Sequence, residues 1–271
     1  YGKNRGIVDL DLTVPKGEFF GFIGPNGAGK STTIRTLLGL IAPSGGNAKI
    51  FGMDIVKDKQ AILQRVGYLP SEAAFYPGMK VKDVLKLSAD LRKKDCCAEA
   101  KSLCERLQLD TARKVDELSF GNRKKVSIVC ALQHCPELLI LDEPLDGLDP
   151  VMRKQIWTIL MSEVAERRTT VLVSSHNLRE LEDVCDHVGI MNHGKVIIER
   201  SLFDLHGNIS KIQVACQTGM PKLPKEFEIL HMSNSGRVYT MIVKGNPREV
   251  AAAIQTEGDH LAIVDLSLIH I

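Results

Sequence analysis

Gly24-Pro25-Asn26-Gly27-Ala28-Gly29-Lys30-Ser31-Thr32 is the stretch on which the reading turns. An apolar run, Phe19–Ile23, precedes it, as expected of a fully buried strand. Ile34, Leu37, Leu38 and Ile41 follow it at i, i+3, i+4 and i+7, one face of a helix. The order is therefore strand, glycine-rich loop, helix. Glycines let a backbone curl until several N–H groups point at one anion. The positive end of the following helix adds to the attraction. Gly24–Ser31 fits G-x-x-x-x-G-K-[ST], in which the lysine reaches the β- and γ-phosphates of a nucleotide and the hydroxyl is placed to bind Mg²⁺. A flexible glycine turn would need neither the strand before it nor the amphipathic helix after it.

A second signal lies downstream, where Leu138-Leu139-Ile140-Leu141 runs straight into Asp142-Glu143. Four apolar residues indicate a buried strand, and two acids at its end are costly unless they have work to do. Open α/β sheets bind ligands outside the carboxyl ends of their strands, which is also where a phosphate loop sits. Asp142 is then placed to hold Mg²⁺ through water, and Glu143 to orient or deprotonate a water aimed at the γ-phosphate.

Around these two signals the chain alternates strand and helix. Val8, Leu10, Leu12 and Val14 alternate with polar residues and predict a half-buried strand, closed by a turn at Pro15–Glu18. Helices are expected near Lys124–Cys135, Lys154–Ala165 and Leu178–Cys185, with strands at Thr170–Ser174 and His187–Met191. This is the pattern of a mostly parallel sheet with helices on both sides. Residues 80–117 differ: Val81, Val84, Leu85, Leu87 and Leu91 mark one helix, Leu103 and Leu107 another, so the segment reads as a helical insertion. Past about 205 a small α+β domain is expected. It has a strand at Ile212–Cys216, a hairpin Glu228–Met232 and Arg237–Lys244 around Ser233–Gly236, a helix start at Asn246–Glu249 and a last strand at His260–Leu266.

The 271 residues allow one large domain, or one with a small appendage. A net charge of +2 calls for no nucleic-acid partner. The seven cysteines form no C-x-x-C pair and read as thiols of a reducing cytosol. No apolar run approaches the ~20 residues that span a bilayer, and no signal peptide opens the chain. The chain opens on Tyr1 and stops at Ile271 without a clear terminus; both ends read as truncated, and the tail from Leu268 as foreign sequence.

Taken together these residues resemble the ATP-binding cassette (ABC) ATPases. GPNGAGKST at 24–32 is similar to Walker A. Leu118-Ser119-Phe120-Gly121-Asn122 resembles the LSGGQ signature, and Leu138–Pro144 an extended Walker B. Gly147-Leu148-Asp149-Pro150 resembles the D-loop, and Ser174-Ser175-His176 the switch-histidine segment. The resemblance implies an α/β P-loop NTPase domain at 1–204, with its helical subdomain at about 80–117, and a small C-terminal α+β domain at 205–271. It implies ATP and Mg²⁺ as cofactors, Tyr1 stacking on adenine, and a head-to-tail dimer with a second ATPase subunit. Ser119 and the Gly121 N–H would meet the γ-phosphate in trans, and His176 in cis. Three departures stand out. Ser71-Glu72 replaces the usual metal-binding Gln after Val66–Pro70, Phe120 and Asn122 alter the signature, and Leu145-Asp146 stands where Thr-Ser is common.

Tyr76-Pro77-Gly78-Met79 and the C-terminal domain resemble bacterial drug and antibiotic exporter subunits, which pair with a separate integral-membrane subunit. That implies a cytoplasmic location, peripheral on the inner face of the cell membrane, with the insertion contacting the membrane subunit. The alternative is a soluble, non-transport ABC ATPase. Translation ATPases of this family carry two cassettes where one fits here, repair ATPases carry a long coiled coil that this chain has no room for, and GTPases carry an NKxD motif that is missing.

Overall fold

The computed structural model describes residues 6–182, 184–202, 209–216, 227–244, 250, 253 and 260–268. The chain divides into two compact units, Tyr1–Glu199 and Arg200–Ile271.

In the first unit β1 (Phe19–Ile23) leads through the glycine loop into α1 (Lys30–Leu37). A short ribbon of β2 (Lys49–Ile50) and β3 (Met53–Asp54), then α2 (Lys59–Arg65), separates α1 from β4 (Val66–Leu69). The insertion follows as α3 (Val81–Leu91), α4 (Cys97–Arg106) and a 3₁₀ turn at Val115–Glu117. Then come α5 (Phe120–Leu132), β5 (Leu138–Asp142), α6 (Pro150–Arg167), β6 (Thr170–Ser175), β7 (His187–Asn192) and β8 (Lys195–Ser201). The strands form one sheet in the order β4-β5-β6-β1-β7-β8. The β4–β5, β5–β6, β6–β1 and β1–β7 pairs are parallel. Strands β1, β5 and β6 are buried along their whole length, which is why they read as unbroken apolar runs rather than alternating ones.

The register of this sheet positions the site. Asp142 pairs with Ser174, and Ile23 pairs with Ser175. The ends of β5, β6 and β1 therefore lie level, and Asp142, Ser174 and Gly24 emerge at one edge. The two helices that border the site start on good caps. Asp149 accepts from Met152 N at 2.9 Å with Pro150 in the first turn of α6, and Ser119 accepts from Asn122 N at 3.4 Å ahead of α5.

The second unit holds a four-stranded antiparallel sheet. Its strands are β9 (Ile209–Cys216), β10 (Glu228–Ser235), β11 (Val238–Lys244) and β12 (His260–Leu268), ordered β10-β11-β9-β12. Ile212, Val214, Met241, Val243 and Val250 form its core.

Several sequence expectations are corrected here. Residues 8–14 form no ladder strand, although Leu10, Leu12 and Val14 still turn inward against the core while Asp9, Asp11 and Thr13 face out. The alternation is real, but the segment has no strand to pair with among the described residues; Val8 N donates to Gly194 O at 2.8 Å and Asp9 lies 3.8 Å from the Lys195 ammonium. The helix expected at Leu178–Cys185 is only a 3₁₀ turn, Leu178–Glu180, followed by turns. Helix α5 begins four residues earlier than expected, at its Ser119 cap. Leu91, one of the apolar residues that mark α3 in the sequence, is 74% exposed. The hairpin turns at Gly236-Arg237, so β10 runs on through Ser235. The strands β4 and β8 and helix α2 had not been recognised. The helix start at Asn246–Glu249 lies outside the described residues.

Candidate nucleotide site

The loop is shaped by contacts that leave no room for side chains. A Cβ at Gly24 would fall on the Met191 carbonyl oxygen, and one at Gly29 on that of Gly6. Gly29 sits at φ 111, in the region that favours glycine, and caps α1. Pro25, Asn26 and Gly27 are exposed at the rim, while Ala28 is buried, its N–H donating to Pro25 O at 3.1 Å. Thr32 packs beside Gly6. Lys30, 5% exposed, folds back along the loop and donates to Gly24 O at 2.6 Å and Pro25 O at 3.3 Å.

Around this loop the level strand ends bring together the acids, the hydroxyls and the histidine. Asp142 is fully buried. Its Oδ1 accepts from Ser31 Oγ at 3.0 Å and from Ser174 Oγ at 2.7 Å, while its Oδ2 is buried without a hydrogen-bond partner. Glu143 stands between a lysine and a histidine: Oε1 lies 3.2 Å from Lys30 Nζ, and Oε2 lies 2.9 Å from His176 Nδ1. Glu143 N donates in turn to Ser174 Oγ at 3.0 Å. Tyr68 on β4 is half-buried next to this group; burial, with the Asp142 charge adding, pushes its phenol pKa up and keeps it neutral.

Lys30, Ser31, Asp142, Glu143 and His176 are thus joined in one network. Ser119 and Gly121 form no hydrogen bond with it among the described residues; Ser119 caps its own helix at the surface. Ser71 and Glu72 do not bond to Ser31 or Asp142 through their side chains, and Glu72 instead borders a cavity of about 400 Å³ with Phe120 and Arg123. The Phe120 ring lies along its own chain, so close that a Cβ on Gly147 would approach its Cε1 to 3.0 Å. Tyr1 lies outside the described residues.

Two participants were not singled out from the sequence. Ser174 bridges Asp142 and Glu143, and only the β5–β6 register places it there. Lys124 is 1% exposed and donates to the carbonyls of Ser71 at 2.9 Å, Glu143 at 3.2 Å and Pro70 at 3.3 Å. Its one signal was a lysine pair, Lys124-Lys125, inside a helix whose next turn is apolar. A third tie reinforces the edge: Arg153 on α6 donates to Leu148 O and to Glu180, and Glu180 accepts from Ser175 Oγ.

A glycine phosphate loop opening a helix, an aspartate at the end of a parallel strand bonded to the loop's serine, and a glutamate beside it define a P-loop nucleoside triphosphatase. The ABC transporter family model matches residues 7–146. The bacitracin transport ATP-binding protein BcrA of Bacillus licheniformis is 41% identical over 73% of this chain and 66% of its own length. The daunorubicin/doxorubicin resistance ATP-binding protein DrrA of Streptomyces peucetius is 35% identical over 77% of this chain and 64% of its own. This chain thus spans somewhat under two thirds of both relatives. A solved ATP-binding subunit of an ABC transporter superposes with a TM-score of 0.68 at 30% identity, covering 76% of this chain and 88% of that one. The chain belongs to the ABC transporter family, and its first unit is the family's ATP-binding, ATP-hydrolysing cassette.

Proposed function

We propose that the chain powers export of a drug-like or antibiotic compound as the ATP-hydrolysing subunit of a bacterial transporter. The similarity to the bacitracin transport and daunorubicin resistance subunits supports this reading. In this reading translocation belongs to a separate membrane subunit, which the insertion at 80–117 contacts; among the described residues no helix is long and apolar enough to cross a membrane. The chain then sits on the inner face of the cell membrane and works as a head-to-tail dimer.

One observation carries the site assignment: Asp142 Oδ2 is buried and unpartnered beside the Ser31 hydroxyl. A buried carboxylate oxygen with no donor is costly, and a hard cation with oxygen ligands relieves it. The donors present are all oxygen, which fits Mg²⁺, with Ser31 and Asp142 as holders. Bound there, the ion would supply positive charge to the β- and γ-phosphates. The Gly24–Thr32 loop cradles the phosphates, whose oxygens compete with the Gly24 and Pro25 carbonyls for Lys30. Glu143 is the base that takes a proton from the attacking water, and His176 holds the base and reaches the γ-phosphate. Ser119, exposed at its helix cap, and the half-buried Gly121 complete the partner subunit's site. Tyr1 stacks on adenine in this reading, and Ser71 or Glu72 approaches the metal.

Glu143→Gln is expected to bind ATP, accumulate as a dimer in size-exclusion chromatography, and turn over at least about 10²-fold more slowly. Near-normal phosphate release by that variant would remove Glu143 from its role. Lys30→Ala should weaken ATP binding about tenfold or more in calorimetry; unchanged affinity would argue against the phosphate loop.

A further inference from the structure

Burying an ammonium costs several kcal/mol unless its donors are met. The three carbonyls that meet those of Lys124 come from two separate places. Pro70 and Ser71 begin the segment that runs from β4 toward the insertion, and Glu143 is the first residue after β5. Asp142, Asp146 and Glu143 lie near enough for their charges to offset part of the burial that otherwise pulls its pKa below the usual lysine range.

Glu143 itself is in an unusual conformation. Its φ is 48°, in the left-handed region. A non-glycine residue there costs on the order of 1–3 kcal/mol and persists only where the surroundings over-determine it. Here both sides of the residue are held. The N–H donates to Ser174 Oγ at 3.0 Å, and the carbonyl accepts from Lys124 Nζ at 3.2 Å. Between these two clamps the carboxylate is aimed at Lys30 and His176.

We infer that Lys124 is a positioning residue for turnover: it holds the Glu143 carbonyl so that the backbone stays left-handed and the carboxylate faces the phosphate loop. The same ammonium ties that aim to Pro70 and Ser71, so a displacement of the segment leading to the insertion is felt at the base. The inference rests on Glu143 being the base, and Lys124 acts through Glu143 rather than on the nucleotide.

Two variants of the full chain test it. Lys124→Met keeps the length and apolar stem and removes the donors; Lys124→Arg keeps donors. Loss of a charge-assisted bond at a strained residue should lower kcat about 10- to 100-fold in the methionine variant, with KM and ATP affinity within about twofold of the parent. Arginine should restore most of the turnover. If the methionine variant does not fold, Lys124→Gln, which keeps two donors without charge, should fall between the parent and that loss. A folded variant with kcat within about twofold of the parent would overturn the inference, as would ATP affinity falling in step with kcat, or arginine as damaging as methionine. Glu143→Gln run alongside separates the failures. If it still turns over, the reading of the base is lost; if it is inactive while Lys124→Met is normal, only the role of Lys124 is.

Discussion

At the scale of single residues, the site depends on one serine that links two acids. Ser174 donates to Asp142 Oδ1 and accepts from Glu143 N, so its removal leaves a backbone donor unmet and takes one of two donors from a buried carboxylate oxygen. Ser174→Ala should destabilise the fold by about 1–3 kcal/mol in urea unfolding and weaken Mg²⁺-dependent ATP binding. Equal stability would mean that water replaces the hydroxyl freely. Nothing local marks Ser174 in the sequence, because its partner is 32 residues away and the pairing exists only through the β5–β6 register. Lys30, Asp142 and Glu143 were legible for the opposite reason. Their chemistry is written in short segments, a glycine loop and the end of an apolar run, that set local geometry wherever they occur.

Elements show where local pattern stops being enough. Alternation at 8–14 correctly oriented Leu10, Leu12 and Val14, but a ladder needs a neighbour, and none is available to that segment among the described residues. Likewise Leu178–Cys185 has the spacing of a helix, yet Ser175, Asn177 and Glu180 bond to one another and to Arg153, and the segment tightens into a 3₁₀ turn. The signature illustrates a subtler case. Phe120 stands where the signature has glycine, and its ring covers Gly147 of the loop after β5. Gly147 has φ 71°, so Gly147→Ala should cost about 1 kcal/mol from backbone strain and more from the ring. Adding Phe120→Ala should return the steric part and leave the backbone part, a non-additive pair in a double-mutant cycle. Strict additivity would mean that the ring and the loop do not touch in solution.

On the scale of the molecule, stability should follow pH through a residue remote from the network. His134 is buried at the end of α5, its Nε2 within 3.2 Å of Val66 O. Burial, with the Arg92 charge adding, depresses its pKa from 6.5 to about 4. Between those values the unfolded chain takes up a proton that the folded chain refuses. The stability contribution is therefore intact above pH 6.5 and is lost as pH falls through that window, by about 2 kcal/mol at pH 5. Chemical denaturation at pH 7.5 and pH 5 checks this against His134→Gln, which should lack that part of the loss; equal losses in both would place the proton uptake elsewhere. The parallel-sheet architecture of the first unit was readable because strand–loop–helix alternation is a property of long segments. The edge strand β8 and the two-residue strands of the ribbon β2–β3 were not, being defined by their partners.

The left-handed backbone at Glu143 carries a consequence for how this protein responds to selection. A position that favours glycine or asparagine is occupied here by glutamate, so the residue best suited to the chemistry is a poor one for heat resistance. Variants screened only for a higher melting temperature should drift toward Glu143→Gly or Glu143→Asn and lose turnover, while those kept active should retain this local flaw and gain robustness elsewhere.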